Sequence, residues 1–157
     1  KTKVLDTRKT TPGLRYLEKW AVRIGGGVNH RMGLYDMILI KDNHVDYAGS
    51  IANAINQSNA YLKDTGKQLQ IEIEVRNLEE LKQVLAIGKV DRIMLDNFEL
   101  PLLTQAVELI DGRFLTEASG GILEENVIDY AACGVDFISM GALTHSVKSL
   151  DLSLKAF

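Results

Sequence analysis

IEIEVRNLEELKQVLAIGKVDRIMLDN, residues 71–97, is the stretch that decides the fold. It opens with Ile71-Glu72-Ile73-Glu74-Val75, apolar and acidic in strict alternation. Residues two apart on a strand share a face. Ile71, Ile73 and Val75 therefore point one way, toward covering helices, and both glutamates point the other. From about Asn77 to Leu85 the pattern reads as a helix. Arg92-Ile93-Met94-Leu95 follows as a second strand and ends at Asp96-Asn97. Strand, helix, strand in so short a span is a βα unit of a parallel sheet.

The same rhythm runs outward in both directions. Val4-Leu5 reads as a short strand and Leu14 to Arg23 as an amphipathic helix. Met37-Ile38-Leu39-Ile40 reads as a buried strand, and Ser50 can cap a helix running toward Leu62. Beyond residue 97 the pattern predicts a helix through Leu103 to Ile110 and a strand at Phe114-Leu115-Thr116. A helix from Glu124 to Ala132 and a last strand at Phe137-Ile138-Ser139-Met140 follow, then a polar turn and an apolar tail. The expected fold class is α/β: one domain over residues 1–157, an open or incomplete (β/α) barrel of about six βα units. A closed eightfold barrel needs about 250 residues, and the chain has 157.

Composition narrows the function. A net charge of -3 argues against a nucleic-acid partner, and the 46% hydrophobic content suits a globular core. The single cysteine, Cys133, excludes an internal disulfide and is expected to be a buried, inert thiol. No apolar run approaches the roughly 18 residues of a membrane span, and no signal-peptide pattern opens the chain. A cytoplasmic location is the expectation.

Ligands of parallel α/β folds collect at the C-terminal strand ends. Every strand here ends in polar or glycine residues. Three basic clusters stand in the first third of this acidic chain: Asp6-Thr7-Arg8-Lys9-Thr10, Gly25 to Arg31, and Lys41-Asp42-Asn43-His44. Their placement points to a pocket for a polyanionic small molecule. Arg8 and Arg31 suit bidentate grip on a carboxylate or phosphate, and Lys9 and Lys41 act as point charges. His30, beside Arg31, is placed to orient a ring or a carboxylate. The loops Ser119-Gly120-Gly121 and Gly141-Ala142 stand between strand and helix, where backbone N–H groups and a helix N-terminus favour phosphate. Glu72 and Glu74 point into the barrel and need a cation. Mg²⁺ shared with Asp96 and phosphate oxygens is one candidate, and an internal pair with Lys9 or Lys41 is the other. No histidine–cysteine cluster has zinc spacing, and no Ser-His-Asp arrangement is visible. Gly25-Gly26-Gly27 is not a dinucleotide fingerprint, because a helix leads into it.

Seven strings in order carry a family resemblance: LDTRKTTPGLR (5–15), VRIGGGVNHR (22–31), ILIKDNHV (38–45), IEIEV (71–75), IMLDNF (93–98), EASGGI (117–122) and SMGALTHS (139–146). Together they resemble quinolinate phosphoribosyltransferase over essentially the whole chain. The resemblance implies the barrel of a type II phosphoribosyltransferase, whose N-terminal α/β sandwich has no counterpart in this chain. It implies transfer of phosphoribosyl from 5-phosphoribosyl 1-diphosphate to quinolinate with Mg²⁺. Release of CO₂ and diphosphate yields nicotinate mononucleotide for NAD synthesis.

Carried over position by position, Arg8, His30, Arg31 and Lys41 match the pocket for the two quinolinate carboxylates. Lys9 matches the residue near the diphosphate, and Glu74 and Asp96 match the carboxylates near ribose and metal. Ser119 to Gly121 and Gly141-Ala142-Leu143-Thr144 match the loops around the 5-phosphate. Lys9, Lys41, Glu74 and Asp96 are the catalytic candidates, and Thr7 joins the substrate-binding set. The resemblance further implies a homodimer or higher oligomer, each site completed by an arginine from the partner's N-terminal domain. The chain is thus expected to be part of a longer protein and poorly active alone. A paralogous phosphoribosyltransferase with another acceptor, a non-catalytic phosphate-binding fragment and an aldolase-like barrel with a Schiff-base Lys41 are the alternatives.

Overall fold

Among the described residues six strands, β1 (Lys3–Leu5), β2 (Ile38–Ile40), β3 (Ile71–Val75), β4 (Arg92–Asp96), β5 (Leu115–Ser119) and β6 (Phe137–Ser139), form one parallel sheet. Their order is β1-β6-β5-β4-β3-β2. The computed structural model describes residues 2–148 and 150–157. The helices are α1 (Arg15–Ile24), α2 (Asp42–Ala48), α3 (Ile51–Thr65), α4 (Leu78–Ile87), α5 (Leu100–Ile110), α6 (Val127–Ala132) and α7 (Ala142–His145). β1 and β2 are the two ends of the sheet and do not pair with each other, so the barrel is open as expected. Val28 adds a single parallel bridge to Leu5 on the free side of β1.

The apolar face of β3 lies where the alternation put it. Ile71, Ile73 and Val75 are buried in one cluster with Ile93 and Leu95 of β4, Leu81 and Val84 of α4, and Leu103, Ala106 and Ile110 of α5. Burial of each such large aliphatic side chain stabilises the fold by roughly 1.5–3 kcal/mol. Local signals set the helix limits. Ser50 Oγ accepts the Asn53 amide at 3.1 Å, and Asn77 Oδ1 accepts the Glu80 amide at 2.9 Å. α2 and α3 end on Gly49 and Gly66 in the left-handed conformation.

Two helices are additional to the expectation, and two element limits lie three residues from it. α2 and α7 are additional short helices; the first starts where His44 Nδ1 accepts the Lys41 amide at 2.9 Å. β5 does not stop near Thr116 but runs to Ser119. Glu117 and Ser119 read as loop residues because they are polar, yet they are the inward-facing positions of the strand. α6 starts at Val127, not Glu124, because Asn126 Oδ1 accepts the Leu123 amide at 2.8 Å and holds a turn. Cys133 is half-buried at the end of α6, less enclosed than expected. No helix among the described residues is long and apolar enough to cross a membrane.

Candidate active site

The C-terminal strand ends surround a cavity of about 760 Å³. Thr7, Arg8 and Lys9 enter it after β1, His30 and Arg31 from the loop after α1, and Lys41 after β2. Glu74 and Asp96 face it from β3 and β4. Ser119, Gly120, Gly121, Gly141 and Ala142 close the opposite side. All the anticipated residues therefore line one space except Leu143 and Thr144. Thr144 is buried and its hydroxyl donates to the Lys9 carbonyl at 2.6 Å, tying α7 to the β1 loop.

The basic loops are held by residues the sequence reading did not single out. The Asp6 carboxylate is fully buried and paired with Lys19 of α1, itself 1% exposed. Asp6 also accepts Asn29 Nδ2 at 2.5 Å and the His30 amide at 2.9 Å. Lys19 donates in turn to the His30 carbonyl at 2.9 Å. Arg15, one turn earlier, donates to Thr10 Oγ1, the Arg8 carbonyl and the Met32 carbonyl at 3.1–3.2 Å. Arg15 and Lys19 are four apart and share a helix face. That face looks inward, while Tyr16, Leu17, Trp20 and Ile24 are exposed. The i, i+4 spacing of cations was the available signal, but an amphipathic pattern ordinarily buries its apolar stripe.

Electrostatics mark the cavity for an anion. Burial, and then the adjacent Arg8 guanidinium, hold Arg31 below the usual arginine range. Among the described residues, Arg31 Nη1 donates only a long bond to the Met37 carbonyl, 3.3 Å, and Arg8 Nε is buried without a hydrogen-bond partner. Two crowded guanidiniums with an unsatisfied donor favour a bound carboxylate or phosphate. Lys41 is already paired: its Nζ lies 2.5 Å from Glu74 Oε2, one of the pairings anticipated.

The loop after β5 is built on glycine. Gly120 has φ +103°, and a Cβ there would stand 2.2 Å from Asn97 Oδ1 and 2.9 Å from the Asn97 backbone nitrogen. Among the described residues the Gly120 and Gly121 amides donate to no protein atom. Because α6 begins only at Val127, the expected helix dipole is not part of this loop; its backbone amides are what it offers. Gly120→Ala is expected to destabilise the fold by about 1–3 kcal/mol through backbone strain and to weaken phosphate binding, as thermal melting and phosphate titration would measure.

At the cavity floor lies a buried cluster of His30, Glu72, Arg92 and Glu117, of which His30 and Glu117 line the cavity. Arg92 Nη1 lies 2.9 Å from Glu117 Oε2 and 4.0 Å from Glu72 Oε2, with its guanidinium 4.2 Å from the Phe137 ring centre. Glu72 thus meets Arg92 and His30, not Lys9 or Lys41. Sequence reading missed Arg92 and Glu117; the signal was register, since Glu72 pairs with Arg92 and Met94 with Glu117 across β3-β4-β5. Burial, and then the Glu72 charge, push the Glu117 carboxyl up to about 7. Burial also raises Glu72 and lowers His30.

A carboxyl with a raised value in the fold binds its proton more tightly when folded. Its contribution is complete below the ordinary value of 4.5 and is lost as pH rises through about 7. Between pH 4.5 and 7 the stability of the native sequence is expected to fall, relative to that of Glu117→Gln, by about 3 kcal/mol. Urea denaturation of both proteins across that window measures it. Parallel curves would exclude a raised Glu117.

For a metal, Glu74 and Asp96 present hard carboxylate oxygens on neighbouring strands. Lys41 occupies one Glu74 oxygen and Asn97 Nδ2 donates to Asp96 Oδ2 at 2.6 Å, leaving the others open. One or two carboxylates completed by phosphate oxygens is the usual Mg²⁺ arrangement, and these residues fit it.

Comparison with known proteins places this geometry. Residues 1–155 match the model of the family described as "Quinolinate phosphoribosyl transferase, C-terminal domain". The chain is 54% identical over 97% of its length to a chloroplastic nicotinate-nucleotide pyrophosphorylase [carboxylating] of Arabidopsis thaliana, covering 48% of that protein. It is 49% identical over 97% of its length to a probable nicotinate-nucleotide pyrophosphorylase [carboxylating] of Bacillus subtilis, covering 51% of it. The crystal structure of NadC from Streptococcus pyogenes superposes with a TM-score of 0.90 at 47% identity, over 99% of this chain and 53% of that one. The chain thus spans about half the length of the curated relatives it matches. With the family model covering the cavity-lining loops and the sheet beneath them alike, this chain belongs to the quinolinate phosphoribosyl transferase C-terminal domain family.

Proposed function

We propose that this chain is the barrel of an enzyme that transfers phosphoribosyl from 5-phosphoribosyl 1-diphosphate to quinolinate. Diphosphate and CO₂ leave, and nicotinate mononucleotide is formed. The observation that carries the reading is the Arg8–Arg31 pair, two crowded guanidiniums with a buried unpartnered Nε facing a cavity. A dianionic acceptor answers that arrangement better than a monoanion. The relatives' names, nicotinate-nucleotide pyrophosphorylase [carboxylating], support the same chemistry.

In this reading Arg8 and Arg31 grip the acceptor carboxylates, and Lys41 moves from Glu74 toward the same ligand. Lys9, exposed at the cavity edge, meets the diphosphate. Gly120, Gly121 and the Gly141 loop receive the 5-phosphate, and Thr144 holds Lys9's loop. The pyridine nitrogen carries a free lone pair, so attack on the anomeric carbon needs no general base. As diphosphate departs, positive charge develops on the ribose, and Glu74, released from Lys41, and Asp96 face that charge. The adjacent ring cation then stabilises the electron pair left at C2 as CO₂ departs, and a proton from solvent completes the C2–H bond. Glu74 and Asp96 would hold Mg²⁺, which when bound neutralises charge on the diphosphate. Positioning and electrostatics supply the catalysis. The whole enzyme is proposed to be a homodimer of chains about twice this length, of which residues 1–157 form one domain.

Calorimetric titration of quinolinate into this chain, with nicotinate as the control, tests the reading with and without Mg²⁺ and phosphoribosyl diphosphate. Quinolinate is expected to bind and nicotinate to be rejected. Equal affinity for the two would exclude a pocket that reads two carboxylates.

A further inference from the structure

His30 lines the cavity, and its two ring nitrogens are differently engaged. Nδ1 accepts the Arg31 backbone amide at 2.7 Å, so it carries a lone pair and no proton. A neutral imidazole then keeps its one proton on Nε2. Nε2 lies 3.0 Å from Glu72 Oε2 and 3.5 Å from Glu117 Oε2, close to both and aligned for a hydrogen bond with neither. A protonated nitrogen is attracted by that pair of carboxylates, whereas a bare lone pair there would be repelled. The pair is itself fixed, because Arg92 holds Glu117 at 2.9 Å and rests on Phe137. Both glutamate side chains are 0% exposed; Glu117 borders the cavity floor, and Glu72 is not part of the lining.

We infer that Glu72 and Glu117 hold His30 as its Nε2–H tautomer, so that Nδ1 clamps the Arg31 amide and all three are positioning residues for Arg31. The family resemblance gives His30 to the carboxylate pocket; the hydrogen bonding gives it to the backbone that aims Arg31. The inference rests on the proposed function only for what Arg31 grips. The carboxylates of β3 and β5 act on the cavity through one imidazole ring, from inside the sheet. A divalent ion would also suit three ligand atoms within 4.8 Å of one another. The guanidinium of Arg92 already supplies a cation to this cluster, which favours a proton over a metal.

Nitrogen-15 NMR of the histidine rings tests this on the chain as purified, beside Glu117→Gln and Glu72→Gln and a metal analysis. In the wild type, Nε2 is expected to carry the proton and Nδ1 to show a bare lone pair. In whichever variants keep the native circular dichroism, the ring is expected to shift toward a mixture of tautomers. Arg31 amide exchange is expected to quicken, and the quinolinate dissociation constant to rise, each about tenfold for a weakened hydrogen bond. A proton on Nδ1 in the wild type would overturn the inference whatever the variants do. So would an unchanged ring and Arg31 amide in both folded variants, or one equivalent of tightly bound divalent metal. If the wild type binds no quinolinate, the functional reading fails while the ring and amide signals still decide this one.

Discussion

Arg31→Ala is expected to raise the quinolinate dissociation constant about a hundredfold or more. Truncating one partner of a buried, hydrogen-bonded charge pair weakens binding by about 2–5 kcal/mol, and 2.7 kcal/mol corresponds to a hundredfold. Arg31 is half-buried beside Arg8, so its fork meets a ligand in a partly desolvated site. Arg31→Lys keeps the charge and loses the planar fork, and an intermediate loss is expected of it. Lys41→Ala should weaken binding less, because Lys41 is 43% exposed and leaves Glu74 to reach the ligand. Calorimetry on the three variants, each checked for a native melting profile, measures the order. Near-normal binding in both Arg31→Ala and Lys41→Ala would sink the pocket assignment.

Lys19→Met is expected to destabilise the fold by about 3–5 kcal/mol, the usual loss when one member of a buried ion pair is removed and the other stays charged. The Asp6 carboxylate would remain fully buried with only Asn29 and the His30 amide as donors. Adding Asp6→Asn should recover a large part of the loss, since the uncompensated charge goes with it. Both changes loosen the loop that carries His30 and Arg31, so quinolinate affinity should stay low even where stability returns. Urea denaturation and calorimetry on the single and double variants separate the two effects. A loss under 1 kcal/mol for Lys19→Met would show the pair to be solvated.

The cavity was legible because its residues come from strand ends, and strand ends can be found by counting. Once β3 is placed by Ile71, Ile73 and Val75, the parity of Glu72 and Glu74 follows, and Arg8, Lys41 and Asp96 fall at matching ends. Leu143 and Thr144 show the limit of that counting. A string can match a loop in order while one of its side chains turns away, as Thr144 does toward the Lys9 carbonyl. The strand that ran past its expected end hid Glu117, because an inward polar residue of an open barrel looks like the start of a loop.

From the sequence alone came the α/β order, the inward face of β3, the convergence of basic loops on one end of the sheet and the family. Each rests on a local property: side-chain period, strand polarity and short strings in order. Only the tertiary structure showed that α1 turns Lys19 and Arg15 inward and leaves Trp20 outside. It alone joined His30 to Glu72 and Glu117, and Lys41 to Glu74. Such pairings link residues 33 to 87 apart along the chain and depend on which low-dielectric space two charges share. No periodicity encodes that; it is decided when the sheet curls and the loops close over it.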